Sequence, residues 1–159
     1  MAYPAEDHLQ ILNVLGRYCF ALDERHQERL AACFHPDARI SFCGNVLSPA
    51  EFAGGTAEML QGIAGVHMVG NTVVDIDGDR ATATSYVYAV HKVPTTVGAD
   101  MAAVVFGTIK DPTDSIILGR YDDKLEKRNG QWKIASRTIT FLWQQHLPMM
   151  PPLADWMRA

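Results

Sequence analysis

Two histidines bracket an apolar hairpin: His67 enters and His91 leaves the stretch "GVHMVGNTVVDIDGDRATATSYVYAVHKV", residues 65–93. Imidazole is the side chain whose ordinary pKa lets it take and return a proton near neutral pH. Facing a pocket it could act as a general base; on a strand it could equally be structural. A carboxylate partner is available in "YCFALDERH", where Asp23 falls near the C-terminal end of a helical segment. That end of the helix dipole disfavours a negative charge. Two readings of Asp23 stand open. It caps the following helix, or it points inward and hydrogen-bonds an imidazole, fixing the tautomer and stabilising the imidazolium. Arg137, in "KIASRTITFLW", is a third candidate, sharing a strand face with Ala135, Ile139, Phe141 and Trp143. A guanidinium on an apolar face needs a partner. The turn register sets Asp122 across from it, so a cross-strand ion pair stands beside an anion- or carbonyl-binding role.

The elements that must position these residues follow from periodicity and turn chemistry. Asp77-Gly78 and Asn129-Gly130 are two-residue hairpin turns. Counting outward from the first, Ile76 meets Asp79 and Asp75 meets Arg80. His67, Val69, Asn71 and Val73 then share a face with Tyr88, Tyr86, Thr84 and Thr82. Asn71, Tyr86 and Tyr88 are thereby expected around His67, with His91 on the opposite face. Only a bulge would bring both imidazoles together. Pro4 and the acids at positions 6 and 7 suit a helix start. Ile11, Leu12, Leu15, Tyr18, Cys19 and Leu22 form its buried stripe. A short helix over Gln27–Cys33 and a strand in "FHPDARISF" follow. Ser48, Pro49 and Glu51 predict an N-cap, first turn and capping box. Residues 93–114 read as a long loop with one extra strand. The tail, 145–159, is proline-rich but apolar, and is expected to cover the pocket or a neighbouring subunit.

Helices first and strands later argue for an α+β fold in one domain, 1–159. We expect a curved, mostly antiparallel sheet wrapped around the N-terminal helices: a cone-shaped barrel with an apolar interior suited to a small molecule. Leu12, Leu15, Met68, Phe141 and Trp143 are the expected apolar lining, which points to a hydrophobic cyclic or aromatic substrate. Formal charge is −4 and no basic run occurs, which argues against nucleic acid. No stretch is long and apolar enough to span a bilayer. "MAYPAEDH" lacks the pattern of a signal peptide, and three cysteines without CxxC spacing suit a reducing compartment, so a cytoplasmic location is expected. Scattered histidines without HExxH disfavour a metal site, and His26 and His35 read as surface residues. No GxSxG, P-loop or GxGxxG occurs.

The segments "ILNVLGRYCFALDERHQERLAACFHPDARI", "HMVGNTVVDIDGDRATATSYV" and "GRYDDKLEKRNGQWKIASRTITFLW" resemble the SnoaL-like branch of the nuclear transport factor 2-like superfamily. Within it the chain looks closest to cofactor-independent dehydratases and dehydrohalogenases, such as scytalone dehydratase, bile-acid 7α-dehydratase and γ-hexachlorocyclohexane dehydrochlorinase. The resemblance implies a catalytic Asp–His dyad at Asp23 and His67, and an HxxxN spacing at His67 and Asn71. It implies a pocket tyrosine at Tyr18, a pocket arginine at Arg137, and a second pocket histidine near His91, against the parity count. Scytalone dehydratase carries a tyrosine where this chain has Phe42 and an asparagine near Tyr121, so scytalone is not the expected substrate. The implied activity is β-elimination without metal or organic cofactor, in a homo-oligomer, dimer or trimer. A ketosteroid isomerase- or polyketide cyclase-like enzyme, and a non-catalytic binding or assembly subunit, are the alternatives. The fold hosts many functions.

Overall fold

A computed structural model describes residues 5–94 and 100–150, with backbone only at Asp100 and Met101. The opening helix α1 (Ala5–Asp23) buries Ile11, Leu15, Tyr18, Cys19 and Leu22 of the expected stripe; Val14 is buried as well, and Leu12 only half. Its predicted start at Pro4 lies outside the described residues. Two further helices, α2 (Gln27–Ala32) and α3 (Pro49–Met59), flank the strands β1 (Phe34–Phe42) and β2 (Asn45–Leu47). The capping box at α3 is present in full: Ser48 Oγ accepts from the Glu51 amide, and the Glu51 carboxylate accepts from the Ser48 amide at 2.8 Å. Such a cap is worth about 1 kcal/mol. It supports a helix weakened by Gly54 and Gly55.

Two long hairpins supply the rest: β3 (Ala64–Asp77) with β4 (Arg80–Val93), and β5 (Thr113–Arg128) with β6 (Gln131–Pro148). The sheet has six strands in the order β2-β1-β6-β5-β4-β3. All pairs are antiparallel except β1 with β6, so the mostly antiparallel expectation holds. The sheet stays open, curving over the helices to form the cone. Between the hairpins, the described residues of 93–114 hold no extra strand before β5 and carry a helix instead, α4 (Asp100–Phe106), ended by Gly107 at φ +70°. The tail, 145–159, is described only in its first part. Its first residues continue β6, Pro148 pairing with Thr113, while 151–159 lie outside the described residues.

Aromatic rings pack edge to face inside the cone. Tyr18 meets Phe34 at 5.9 Å and Tyr121 at 5.6 Å between centroids, and Phe42 meets Phe52 at 5.7 Å. Fully burying one such side chain contributes roughly 1.5–3 kcal/mol. At the narrow end Asp7 accepts from Trp132 Nε1 and Lys127 Nζ, both at 2.8 Å, tying α1 to the β5–β6 hairpin. His35 is buried rather than on the surface, its Nε2 2.9 Å from the Glu126 carbonyl.

A candidate acid–base site in the cone

The register of the first hairpin decides which side chains enter the cone. Asp77 pairs with Arg80, so the turn is Gly78-Asp79, not Asp77-Gly78. That slip of two preserves parity. A bulge does not: Gly70 pairs with Tyr86 and Val73 with Thr84, so Asn71 and Thr72 together face Ser85. Asn71 takes φ +49°, a left-handed conformation asparagine tolerates better than most residues. Past the bulge every side chain of β3 changes face. His67 therefore pairs with Ala89, and His91, two residues along, shares its inward face. The rings meet edge to face at 4.9 Å. The parity count that separated them is corrected by the one feature able to overturn it. Gly65, opposite His91, makes room for the ring: a Cβ there would lie 2.7 Å from His91 Cδ2.

The same shift moves other expected contacts away. Tyr86 is exposed on the outer face, Tyr88 is half-buried beside it, and Asn71 sits exposed in the bulge itself. In β6 an extra residue, Leu142, lies between Phe141, opposite Gly119, and Trp143, opposite Leu118. Phe141 keeps its place in the cone, whereas Trp143 turns out and is 46% exposed. Met68 faces outward, Leu12 is half-buried in an outer groove and Leu15 is in the core, so Phe141 alone of the five expected lining residues lines the chamber.

Asp23 and His67 do meet. The last residue of α1 brings its carboxylate to His67, Nδ1 to Oδ1 at 2.7 Å, and the backbone N–H of His67 donates to both oxygens at 3.1 and 3.2 Å. Asp23 does not cap the next helix; His26 does, its Nδ1 accepting from the Arg29 amide. An ionised carboxylate only accepts, so the imidazole proton belongs on Nδ1 and the lone pair on Nε2. Nε2 has no hydrogen-bond partner among the described residues.

His91 is buried, and burial, reinforced by the neighbouring His67, pulls its pKa down to about 3, so it stays neutral. Its Nδ1 is buried without a partner. Phe106 of α4 packs against it, ring centroids 5.0 Å apart.

Arg137 lies behind the chamber rather than in it. An extra residue, Ala135, shifts the register so that Arg137 faces Asp123, not Asp122. The guanidinium donates to both Asp123 oxygens, at 2.7 and 2.6 Å, and neither side chain is exposed. Its plane lies over Tyr18 and Tyr121, 4.0 and 4.2 Å from the ring centroids. Burial works against the charge, but Asp123 more than offsets it and the pKa stays above the ordinary arginine value. Tyr18 and Tyr121 form the chamber floor. Burial raises both phenols against the pull of Arg137, Tyr18 to about 12. The Tyr18 hydroxyl lies near the guanidinium and Tyr121 yet meets neither in hydrogen-bond geometry.

The chamber is narrow, about 50 Å³, with His67 and His91 above the tyrosines and with Phe42, Phe52, Phe106 and Phe141 around it. Phe52, Phe106 and Gly119 went unread in the sequence. Phe52 carries the signal of a residue one turn inside a capped helix; α4 carries none beyond the short run "MAAVVF". Among the described residues no three His, Cys, Asp or Glu side chains converge as a metal site. No helix there is long and apolar enough to cross a membrane. Cys19 and Cys33 are buried and Cys43 half-buried, and burial pushes the Cys19 thiol up to about 12.

A curved sheet closed by N-terminal helices, with an acid–imidazole pair at the wall of its hollow, defines a cone-shaped α+β protein of the nuclear transport factor 2-like kind. The chain belongs to the SnoaL-like family, whose domain matches residues 4–138. No functionally curated protein matches it. Among solved structures it is similar to a variant of a protein of unknown function from Mycobacterium tuberculosis, at 26% identity over 87% of this chain and 77% of that one, TM-score 0.68. It is also similar to a candidate scytalone dehydratase from Novosphingobium aromaticivorans, at 23% identity over 92% and 91%, TM-score 0.71. A hexachlorocyclohexane dehydrochlorinase from Novosphingobium barchaimii matches at 17% over 93% and 97%, TM-score 0.75. Likenesses this distant establish the fold.

Proposed function

We propose that the protein is a cofactor-independent lyase in which His67 removes a proton from carbon and Asp23 holds the ring. The observation that carries this reading is the 2.7 Å contact of His67 Nδ1 with Asp23 at the chamber wall, leaving Nε2 unpartnered. Nε2 takes a proton from a carbon next to the one bearing the leaving group. The C–H electrons become the new double bond, and the leaving group departs with its own pair. A departing hydroxide takes a proton from the newly charged His67. Tyr18, with its phenol raised, is a hydrogen-bond donor to a developing oxyanion rather than a proton source. Arg137 acts from behind, as a buried cation against the tyrosine rings. A placed base supplies ~10²–10⁴-fold, and orientation in the dry cone must provide much of the rest.

The lining favours a hydrophobic cyclic or aromatic substrate. Small-molecule pockets usually measure ~300–1,000 Å³, so admission requires Phe106 and Val105 of α4 to swing aside. The names of the distant structural neighbours, a candidate dehydratase and a dehydrochlorinase, support elimination over the isomerase and cyclase readings. We further propose a homo-oligomer, since Val66, Met68 and Phe20 leave apolar surface on the outer face.

The test is to incubate the protein with a panel of hydrophobic β-hydroxy ketones in D₂O. Proton exchange is followed by NMR and loss of water by mass spectrometry. Elimination gives both; isomerisation gives exchange without loss of water. Substantial turnover by folded His67→Ala on the best substrate would dismiss the dyad.

A further inference from the structure

A second concavity, about 700 Å³, lies outside the cone between α1, α2 and the β5–β6 turn, and shares no lining residue with the chamber. Its size, unlike that of the chamber, already suits a small ligand. Phe20, 71% exposed, supplies its apolar surface, with Val14, Cys33 and Trp132 buried beneath. Arg17, Arg29 and Lys133 stand around it. Arg29 is tied to Glu24 at 3.1 Å. Arg17 and Lys133 make no ion pair among the described residues. Arg17 comes from α1 and Lys133 from β6, so two elements bring cations to the rim of one groove. The chain as a whole carries −4, so two uncompensated cations over an apolar floor are a local reversal.

We propose that this groove is a second binding site, for a small amphipathic carboxylate whose apolar body lies against Phe20, above Val14 and Trp132, and whose head group meets Arg17 and Lys133. A bare phosphate would use the charges and waste the floor; a neutral lipid would do the reverse. The site is independent of the acid–base chemistry in the cone.

The probe is octanoate, titrated into ¹⁵N-labelled protein and followed by NMR, with methyl octanoate and inorganic phosphate as controls. The Trp132 indole N–H reports on the groove, and the amides of Ala89 and Gly119 report on the chamber. Octanoate should shift Trp132, and both controls should bind at least about tenfold more weakly. Exposed ion pairs are individually weak, so Arg17→Gln with Lys133→Gln should weaken octanoate by up to about thirtyfold and reduce its salt dependence. Shifts confined to Ala89 and Gly119, phosphate binding as tightly as octanoate, or an unchanged affinity in the double variant would each overturn the proposal.

Discussion

The Asp23–His67 and Asp123–Arg137 pairs differ in their access to solvent. Asp23 and His67 keep 19% and 11% of their side chains exposed; His67 lines the chamber, and both line the outer groove. Asp123 and Arg137 keep none. The first pair leaves an imidazole nitrogen bare beside the chamber; the second is a permanent charge sealed between two tyrosines and a sheet. An arginine on an apolar strand face and a histidine on another look equally chemical in a sequence. Their neighbours decide: one partner leaves a ring nitrogen bare, while the other uses the guanidinium in a bidentate clamp and leaves Nη1 buried without a partner. The lesson is that the fixed pair serves the fold first, and chemistry only through the rings it faces.

That contrast can be broken most forcefully at Asp123. Asp123→Ala strands a buried guanidinium and should cost about 3–5 kcal/mol in urea unfolding, whereas Asp123→Leu combined with Arg137→Met should cost far less. A loss below about 1 kcal/mol, the range of exposed pairs, would erase the distinction. At the open pair the effect should fall on chemistry instead. Asp23→Asn should lower turnover about 10²–10⁴-fold while the unfolding midpoint moves little. If the two losses proved equal in stability, Asp23 would be structural after all.

A third measurement uses pH. His91 is held near a pKa of 3 in the fold against 6.5 when unfolded. Between those values the unfolded chain binds the extra proton, so stability is complete above about pH 6.5 and falls as pH drops. From pH 6.5 to 5 the loss should be on the order of 2 kcal/mol, and His91→Gln should remove it. The window lies above the carboxylates with lowered pKa values, Asp7, Asp37, Glu51 and Asp114, whose contributions are lost only at lower pH. An unchanged pH slope in the variant would show that His91 is not the group at work. The smallest effect is expected far from both pairs: Ser48→Ala should cost about 1 kcal/mol through its cap alone.

What could be read from the residues was local. The α1 stripe, the Ser48–Glu51 box and the hairpin at Asn129-Gly130 depend on neighbours a few residues away, and each is where the patterns put it. The dyad was legible as a pair of residue types and through the family pattern, because an acid at the end of α1 has few uses. Register was not legible. Three extra residues, one in β3 and two in β6, leave no composition signal, yet they decide that His91 faces in, that Trp143 faces out, and that Arg137 meets Asp123. The helix α4 was missed because a short run of alanine, valine and methionine fits a strand as well as a helix.

The bulge at Asn71 has a consequence for how such a site is gained or lost over evolutionary time. Removing one codon there would restore plain alternation along the hairpin, keep every strand and helix, and rotate His67 out of the hollow. A chain in which His67 and Asp23 no longer meet could thus sit a single in-frame deletion away from this one, with both residues kept. Relatives are better sorted by counting residues between His67 and the turn than by asking whether a histidine is there.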